Sequence, residues 1–498
     1  MEKLEEEIKI ETSKIINDFK KHLEIEHNKR ILFSGPFGTG KSTFLNELSQ
    51  IEDDNFFYLK IFPVNYSVSG NEDVFELIKF DLLFQLMGHY YDEINLKKED
   101  FTLLLKSQMF IMERTKFMPL LYAILGFSEK IGTPIVDFIK ALEKTVGDFK
   151  EFSDEVKVDE ENDIKKFLES IEQRKGNTYE MDAVSELIFD LIQRIKTENN
   201  KQSVLIIDDL DRLDPEHIFR LFNIFSAHYN EVNGNNKFGF DKVIFVCDIE
   251  NIRKIFHHRY GFDVDFSGYI DKYYSISPFD FDNRTDLKVK IEKLLHNIQF
   301  NSNLNHYRFN ANEGFFNCTK AVIQALIDSR QLNLRMLLAC PALNVPDFYF
   351  GKRQNPEGTP ILVLFYFFKN FYGSFEILHL KFKTLSELFS SQTFRSDHSY
   401  RYVVKDERDS NVLLSYCLTF LLPDDLTNKK SEEVEYYYSI EYDCTFHYYV
   451  DKYSRVKNLH KITKGKDDVL GMAEVYELNP YLILFDVFNI CKKRGLLK

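Results

Sequence analysis

The chain has 498 residues, 44% hydrophobic and 29% charged, with a net charge of −14 and a pI near 5.5. That length exceeds one hydrophobic core and implies about two to four domains. The acidic balance excludes a global electrostatic grip on nucleic acid, whose affinity comes from Lys and Arg meeting phosphates. Cys247, Cys318, Cys340, Cys417, Cys444 and Cys491 are far apart and form no C-x-x-C pair, which suits reduced thiols and offers no zinc site. The start "MEKLEEEIKI" has neither a basic leader region nor an apolar one, so a cytoplasmic location is expected.

In chain order, Leu4, Ile8, Ile10, Ile15, Ile16, Phe19 and Leu23 recur at helical spacing and predict a helix within an N-terminal segment, 1–30. "RILF" (30–33) reads as a buried strand that runs into "SGPFGTGKST" (34–43), and "KSTFLNELSQ" continues as a helix. "NFFYLKIFPVN" is a second strand. "NEDVFELIKFDLLFQLM" is a long amphipathic helix with Asn71 or Asp73 as cap, closing a unit over 31–95. Residues 96–180 read as a helical insert, ending in the charge-rich "KVDEENDIKKFLESIEQRKGNT". "EMDAVSELIFDLIQRIKTENN" is a helix, "SVLII" a buried strand ending in acids, and "KVIFVCDIE" another strand, within 181–284. Strands alternating with helices imply an α/β fold with a parallel sheet. Residues 285–345 read as a helical lid, and 346–498 as a mixed C-terminal domain with strand-like "EVEYYYSIEYDCTFHYYV".

Residues 35–42 fit G-x-x-x-x-G-K-[ST]. Such a phosphate loop needs Gly35, Gly38 and Gly40 because successive N–H groups turn inward at dihedrals that side chains dislike. Lys41 would reach the β- and γ-phosphates of ATP and Ser42 would ligate Mg²⁺, with Thr39 and Thr43 completing the cradle at the following helix N-terminus. The bland alternative, a chance Gly-rich turn, is opposed by the full match between a strand and a helix.

Hydrolysis also needs an acid for the metal and one for the water. "VLIIDDLDRLD" places Asp208 and Asp209 directly behind a four-residue apolar run, 204–207. Asp208 would hold Mg²⁺ and Asp209 would orient the attacking water, the alternative being a turn or helix cap.

"LIIDDLDRLDPEHIFRLF" resembles the signature of the KAP family of P-loop NTPases, related to the STAND and AAA+ classes. "KIFPVNYSVSGNEDVFELI", "VIFVCDIENIRKIFHHRYGFDVDFSGYIDKYYSISPF" and "NLRMLLACPALN" are similar to further family segments in the same order. In the last, Leu334 stands where the family has proline. The likeness spans about 31–345. It implies a P-loop core divided into a phosphate-loop half and a second acidic half, then a helical lid. It also implies ATP with Mg²⁺, and slow hydrolysis, because related ATPases carry Glu where this chain has the shorter Asp209. Arg335 on the lid would sense the γ-phosphate and serve catalysis with Lys41 and Asp209.

Bacterial proteins resembling the family are often tied to antiphage defence beside a partner effector. Self-association, and a protein partner through the insert or the C-terminal domain, are expected by the same analogy. Two rival readings are a nucleotide-gated scaffold with little hydrolysis and a DNA-acting motor.

The family often carries a transmembrane hairpin in this interval, and "FMPLLYAILGFSEKIGTPIVDFI" (117–139) falls there. Its first apolar piece, 117–127, is short of the ~20 residues a spanning helix needs. Glu129 and Lys130 would each cost roughly 2.5–3.5 kcal/mol mid-bilayer, where Leu or Ile returns about 0.3–0.6. No membrane span is expected. Arg212 reads as a partner for Asp209 or Asp211, or as a finger for a neighbouring subunit. Asp248 reads as a helix cap or a γ-phosphate sensor. His257 and His258, adjacent on a helix, face different directions and suggest no metal. The aromatic runs "ILVLFYFFKNFY" and "YYYSIEY" read as core or partner interface, without the basic interleaving of a nucleic-acid platform.

Overall fold

The computed structural model describes residues 12–51, 53–66, 74–94, 183–227, 236–298, 313–338, 349–350, 353–354, 360–388, 405–423, 434–450, 457–466 and 478–497. The whole of 96–180, including the apolar stretch 117–139, the cap candidates Asn71 and Asp73 and the helix positions Leu4, Ile8 and Ile10 lie outside these residues. The chain divides into two bodies. The first takes Thr12–Pro36 and Lys41–Phe281, the second Phe37–Gly40 and Asp282–Lys498.

In the first body, α1 (Ser13–Glu24) leads to β1 (Arg30–Ser34), α2 (Lys41–Gln50), β2 (Phe56–Ile61) and α3 (Val74–His89). From residue 183 onward come α4 (Ala183–Asn199), β3 (Gln202–Ile207), α5 (Pro215–Ala227), β4 (Lys242–Cys247), α6 (Ile249–Tyr260), α7 (Phe266–Ile270) and β5 (Phe279–Asp280). The five strands form one parallel sheet in the order β2-β3-β4-β1-β5.

A parallel sheet with helices on both faces buries every side chain, so its strands read as continuous apolar runs. Val204 and Ile206 of β3, with Ile244 and Val246 of β4, pack on one face against Phe19 and Leu23 of α1 and Phe44 and Leu45 of α2. Leu205, Ile207, Val243 and Phe245 pack on the other face with α3, α4 and α5. Each large side chain fully buried this way stabilises by about 1.5–3 kcal/mol. β5 is too short and too close to Pro278 to show in the sequence pattern, and it pairs with β1 through Phe33–Phe279 and Ser34–Asp280.

The second body holds α8 (Arg284–Asn297), α9 (Glu313–Asp328), α10 (Leu334–Leu338), α11 (Pro360–Tyr372), α12 (Phe375–Leu388) and α13 (Lys405–Leu421). An antiparallel sheet of β6 (Glu435–Ser439), β7 (Cys444–Val450) and β8 (Lys457–Lys464) follows, in the order β8-β7-β6, and then α14 (Pro480–Lys493). One apolar cluster runs from Leu287 to Leu497 and includes Phe365, Phe382 and Phe488. The aromatic run of α11 is apolar on all sides and correspondingly buried, apart from the half-buried Lys369 and Asn370.

Among the described residues no single helix is long and apolar enough to cross a membrane. α11 and α12 meet that length and composition only as a pair, bent by 105°.

Candidate functional site

Three parallel strands of the first body end side by side: β1 at Ser34, β3 at Ile207 and β4 at Cys247. Open α/β sheets bind ligands outside these carboxyl ends. Each end here is followed by chemistry.

Behind β1, the Gly35 N–H donates to the Cys247 carbonyl at 3.1 Å, and the Phe281 N–H donates to the Ser34 carbonyl. A Cβ on Gly35 would stand 2.9 Å from the Phe281 carbonyl oxygen, so only glycine fits there. Lys41, the first residue of α2, is 7% exposed and donates from Nζ to the carbonyls of Gly35 at 2.6 Å and Pro36 at 3.2 Å. Its ammonium is folded back over its own loop. Ser42 is half-buried and Thr43 exposed in the same helical turn.

Behind β3, Asp208 is fully buried. Its Oδ1 accepts the Asp209 N–H at 2.8 Å. Its Oδ2 accepts no aligned hydrogen bond, but the Lys60 ammonium lies 2.9 Å from it as an ion pair. Asp209 adopts a left-handed backbone, φ 54° and ψ 35°, a conformation that costs non-glycine residues on the order of 1 kcal/mol and clusters at functional sites. Its Oδ2 accepts from Arg212 Nη1 at 2.8 Å, so Arg212 is a partner of Asp209.

Asp211 is 6% exposed. Its Oδ2 accepts from the Asp248 N–H at 3.1 Å and from Asn251 Nδ2 at 3.5 Å, while its Oδ1 has no hydrogen-bond partner. Burial pushes its carboxyl up from the usual range, against the pull of the Asp248 N–H and of the Lys41 charge. Behind β4, Asp248 caps α6 by accepting the Glu250 N–H at 3.1 Å, and Ser34 Oγ accepts the Ile249 N–H.

Asp208 is a fully buried carboxylate at a strand end whose Oδ2 faces the Lys60 cation without an aligned hydrogen bond, an oxygen ligand of the kind a hard divalent cation prefers. A carboxylate of this kind fits magnesium. Among the described residues no group of three or more His, Cys, Asp or Glu is placed to hold a metal ion by itself. His257 packs its ring against Phe262 and Phe266.

The tip of the glycine loop groups with the second body. Gly38 and Gly40 have φ of +74° and +96°. Asn333 Nδ2 donates to the Phe37 carbonyl at 3.1 Å while its Oδ1 accepts the Met336 N–H at 3.0 Å, so one side chain both caps α10 and holds the loop. A Cβ on Gly38 would lie 2.7 Å from Asn333 Nδ2. The Arg335 N–H donates to the Gly38 carbonyl at 3.2 Å, and Asn283 Nδ2 donates to the Thr39 carbonyl. The Arg335 side chain is exposed.

Of the residues singled out from the sequence, Lys41, Asp208, Asp209 and Gly35 thus stand in the first body with Ser42 and Thr43. Gly38, Thr39, Gly40 and Arg335 stand in the second. Sequence reasoning gave no role to Lys60, Asn283 or Asn333. A lone lysine inside the apolar strand β2 was the available signal, since a buried ammonium requires an acid. Asn333 immediately before a short helix was the other.

A family model described as the KAP family P-loop domain matches residues 11–335. No curated protein matches the chain.

Proposed function

This chain belongs to the KAP family of P-loop domains, and from that premise we propose that it is an ATP-dependent switch that binds ATP with magnesium and hydrolyses it slowly. The observation that carries the reading is Asp208, a fully buried carboxylate at the end of β3, beside the strand ends that bear the glycine loop and Asp248.

Lys41 and the loop N–H groups bind the β- and γ-phosphates. Ser42 and Asp208 would hold magnesium, which when bound neutralises charge on the phosphates. Asp209 orients the attacking water. To do so it must exchange its Arg212 partner for that water, which favours slow turnover. Asn333 and Asn283 fix the loop carbonyls, and Arg335, anchored through its N–H to Gly38, supplies a contact that distinguishes ATP from ADP. ATP promotes self-association as the output of the switch. A place in antiphage defence beside a partner effector follows from family likeness alone, and phage challenge of cells carrying parent or Lys41→Ala tests it.

Phosphate release tests the chemistry. Asp209→Asn is expected to bind ATP within a few-fold of the parent and to lose about 100-fold or more in rate, roughly 2.7 kcal/mol. A parental rate in Asp209→Asn removes the assignment and moves it to another acid such as Asp211 or Asp248. Tight ATP binding by the parent with no measurable turnover selects the nucleotide-gated scaffold instead.

A further inference from the structure

Lys60 projects from β2 into the first body's charged end. Its side chain is 11% exposed. Its Nζ lies 2.9 Å from Asp208 Oδ2, 2.9 Å from Asn46 Oδ1 and 3.4 Å from the Ser42 carbonyl, with the Phe62 ring 4.7 Å away. The ammonium therefore stands between the acid and the helical turn that carry the two proposed magnesium ligands. A divalent cation drawn to Asp208 meets a resident positive charge at ion-pair distance.

We infer that Lys60 is a built-in counter-cation that competes with magnesium for Asp208, so that this protein binds ATP without the metal and admits the metal only by displacing Lys60. The inference rests on the nucleotide reading above. Its physical basis is that two like charges cannot share one buried carboxylate oxygen without strong repulsion, which in a partly desolvated site is poorly screened. Without metal, the same ammonium keeps Asp208 from facing incoming phosphates as an uncompensated anion.

The consequence has two opposite signs. Removing the charge should weaken metal-free ATP binding, because Asp208 then repels the phosphates. It should also strengthen the response to magnesium, because the competitor is gone. A purely structural ion pair would give loss in both conditions.

The test uses the full chain and a fluorescent ATP analogue followed by anisotropy, with EDTA or with magnesium titrated in. The parent is expected to bind in EDTA within about tenfold of its affinity in saturating magnesium, about 1.4 kcal/mol. Lys60→Met is expected to bind several-fold more weakly in EDTA and to reach half-maximal magnesium response at about tenfold lower concentration. Lys60→Arg, which keeps the charge, should follow the parent in both. Parallel weakening of Lys60→Met in both conditions, or an unchanged magnesium midpoint, overturns the inference.

Loss of all parental binding in EDTA overturns it without any variant, even if Lys60→Met does not fold. Binding by the parent in neither condition overturns the nucleotide reading itself and this inference with it. Binding without the predicted split overturns this inference alone.

Discussion

The two bodies handle charge in opposite ways. Every buried Asp or Lys among the described residues belongs to the first body: Lys41, Asp53, Lys79, Asp81, Asp208, Asp211, Lys237 and Lys242. The buried polar side chains of the second body are Asn283, Thr319, Ser386, Ser415, Ser439, Thr445 and His447. Burying an ion costs several kcal/mol unless it is paired or hydrogen-bonded, so the first body carries a standing cost that the second avoids. Most of that cost falls within structural pairs, such as Lys242 donating to the carbonyls of Ile25 and Asn28. Asp211 Oδ1 has no hydrogen-bond partner and Asp208 Oδ2 meets the Lys60 ammonium without an aligned hydrogen bond, so this end of the sheet, where buried carboxylate charge is least completely satisfied, is the candidate site.

If the second body is held by apolar packing, its largest sensitivity should be to cavities. Phe365 is fully buried, its ring 5.1 Å from that of Phe488 and 5.9 Å from that of Phe382. Phe365→Ala is expected to cost about 3–5 kcal/mol in urea denaturation. A loss below about 1 kcal/mol would break the contrast.

Arg335→Ala sharpens the contrast from the other side, because it removes charge from the surface of the second body and leaves its core intact. ATP affinity is expected to weaken about tenfold, roughly 1.4 kcal/mol, with ADP affinity unchanged and any ATP-dependent change in mass by light scattering abolished. A variant whose mass still switches with ATP removes Arg335 as the sensor.

Asp53 offers the smallest effect and isolates a buried charge with a structural role. Burial pushes its carboxyl up, but Lys20 at 2.8 Å and the N–H groups of Asn55 and Phe56 outweigh this and hold it below the usual range. A carboxyl lowered in the folded state stabilises above its unfolded value, near pH 3.9, and loses that contribution as pH falls through the folded value. Asp53→Asn should therefore be less stable than the parent at pH 7, by about 1 kcal/mol, and in thermal denaturation the gap should begin to narrow once pH falls below about 4. A gap that persists at low pH assigns the loss to packing.

The order of strands and helices in the first body was readable because two-sided burial writes β1, β3 and β4 as unbroken apolar runs. The glycine loop was readable because its spacing is local. Lys60 was not, since its partner Asp208 is distant in sequence and comes near only when β2 and β3 pair, Lys60 beside Ile206. The left-handed backbone of Asp209 likewise arises from the turn leading from β3 to α5, not from the Asp-Asp pair as such. Asn333 combines a cap with a clamp on Phe37, and only the cap is visible in sequence. Of the two aromatic runs read as core or partner interface, the one on α11 is core, and its packing partners were hidden because close packing leaves no periodic signature on a helix buried on all sides; in the other, Tyr436 and Ile440 are exposed.

Calorimetric titration of ATP with magnesium into the parent and into Lys41→Ala addresses the central claim, that the charged end of the first sheet is a nucleotide site. The account predicts saturable one-site binding by the parent and no measurable heat of binding by a folded Lys41→Ala. Equal affinity in the two proteins would contradict it.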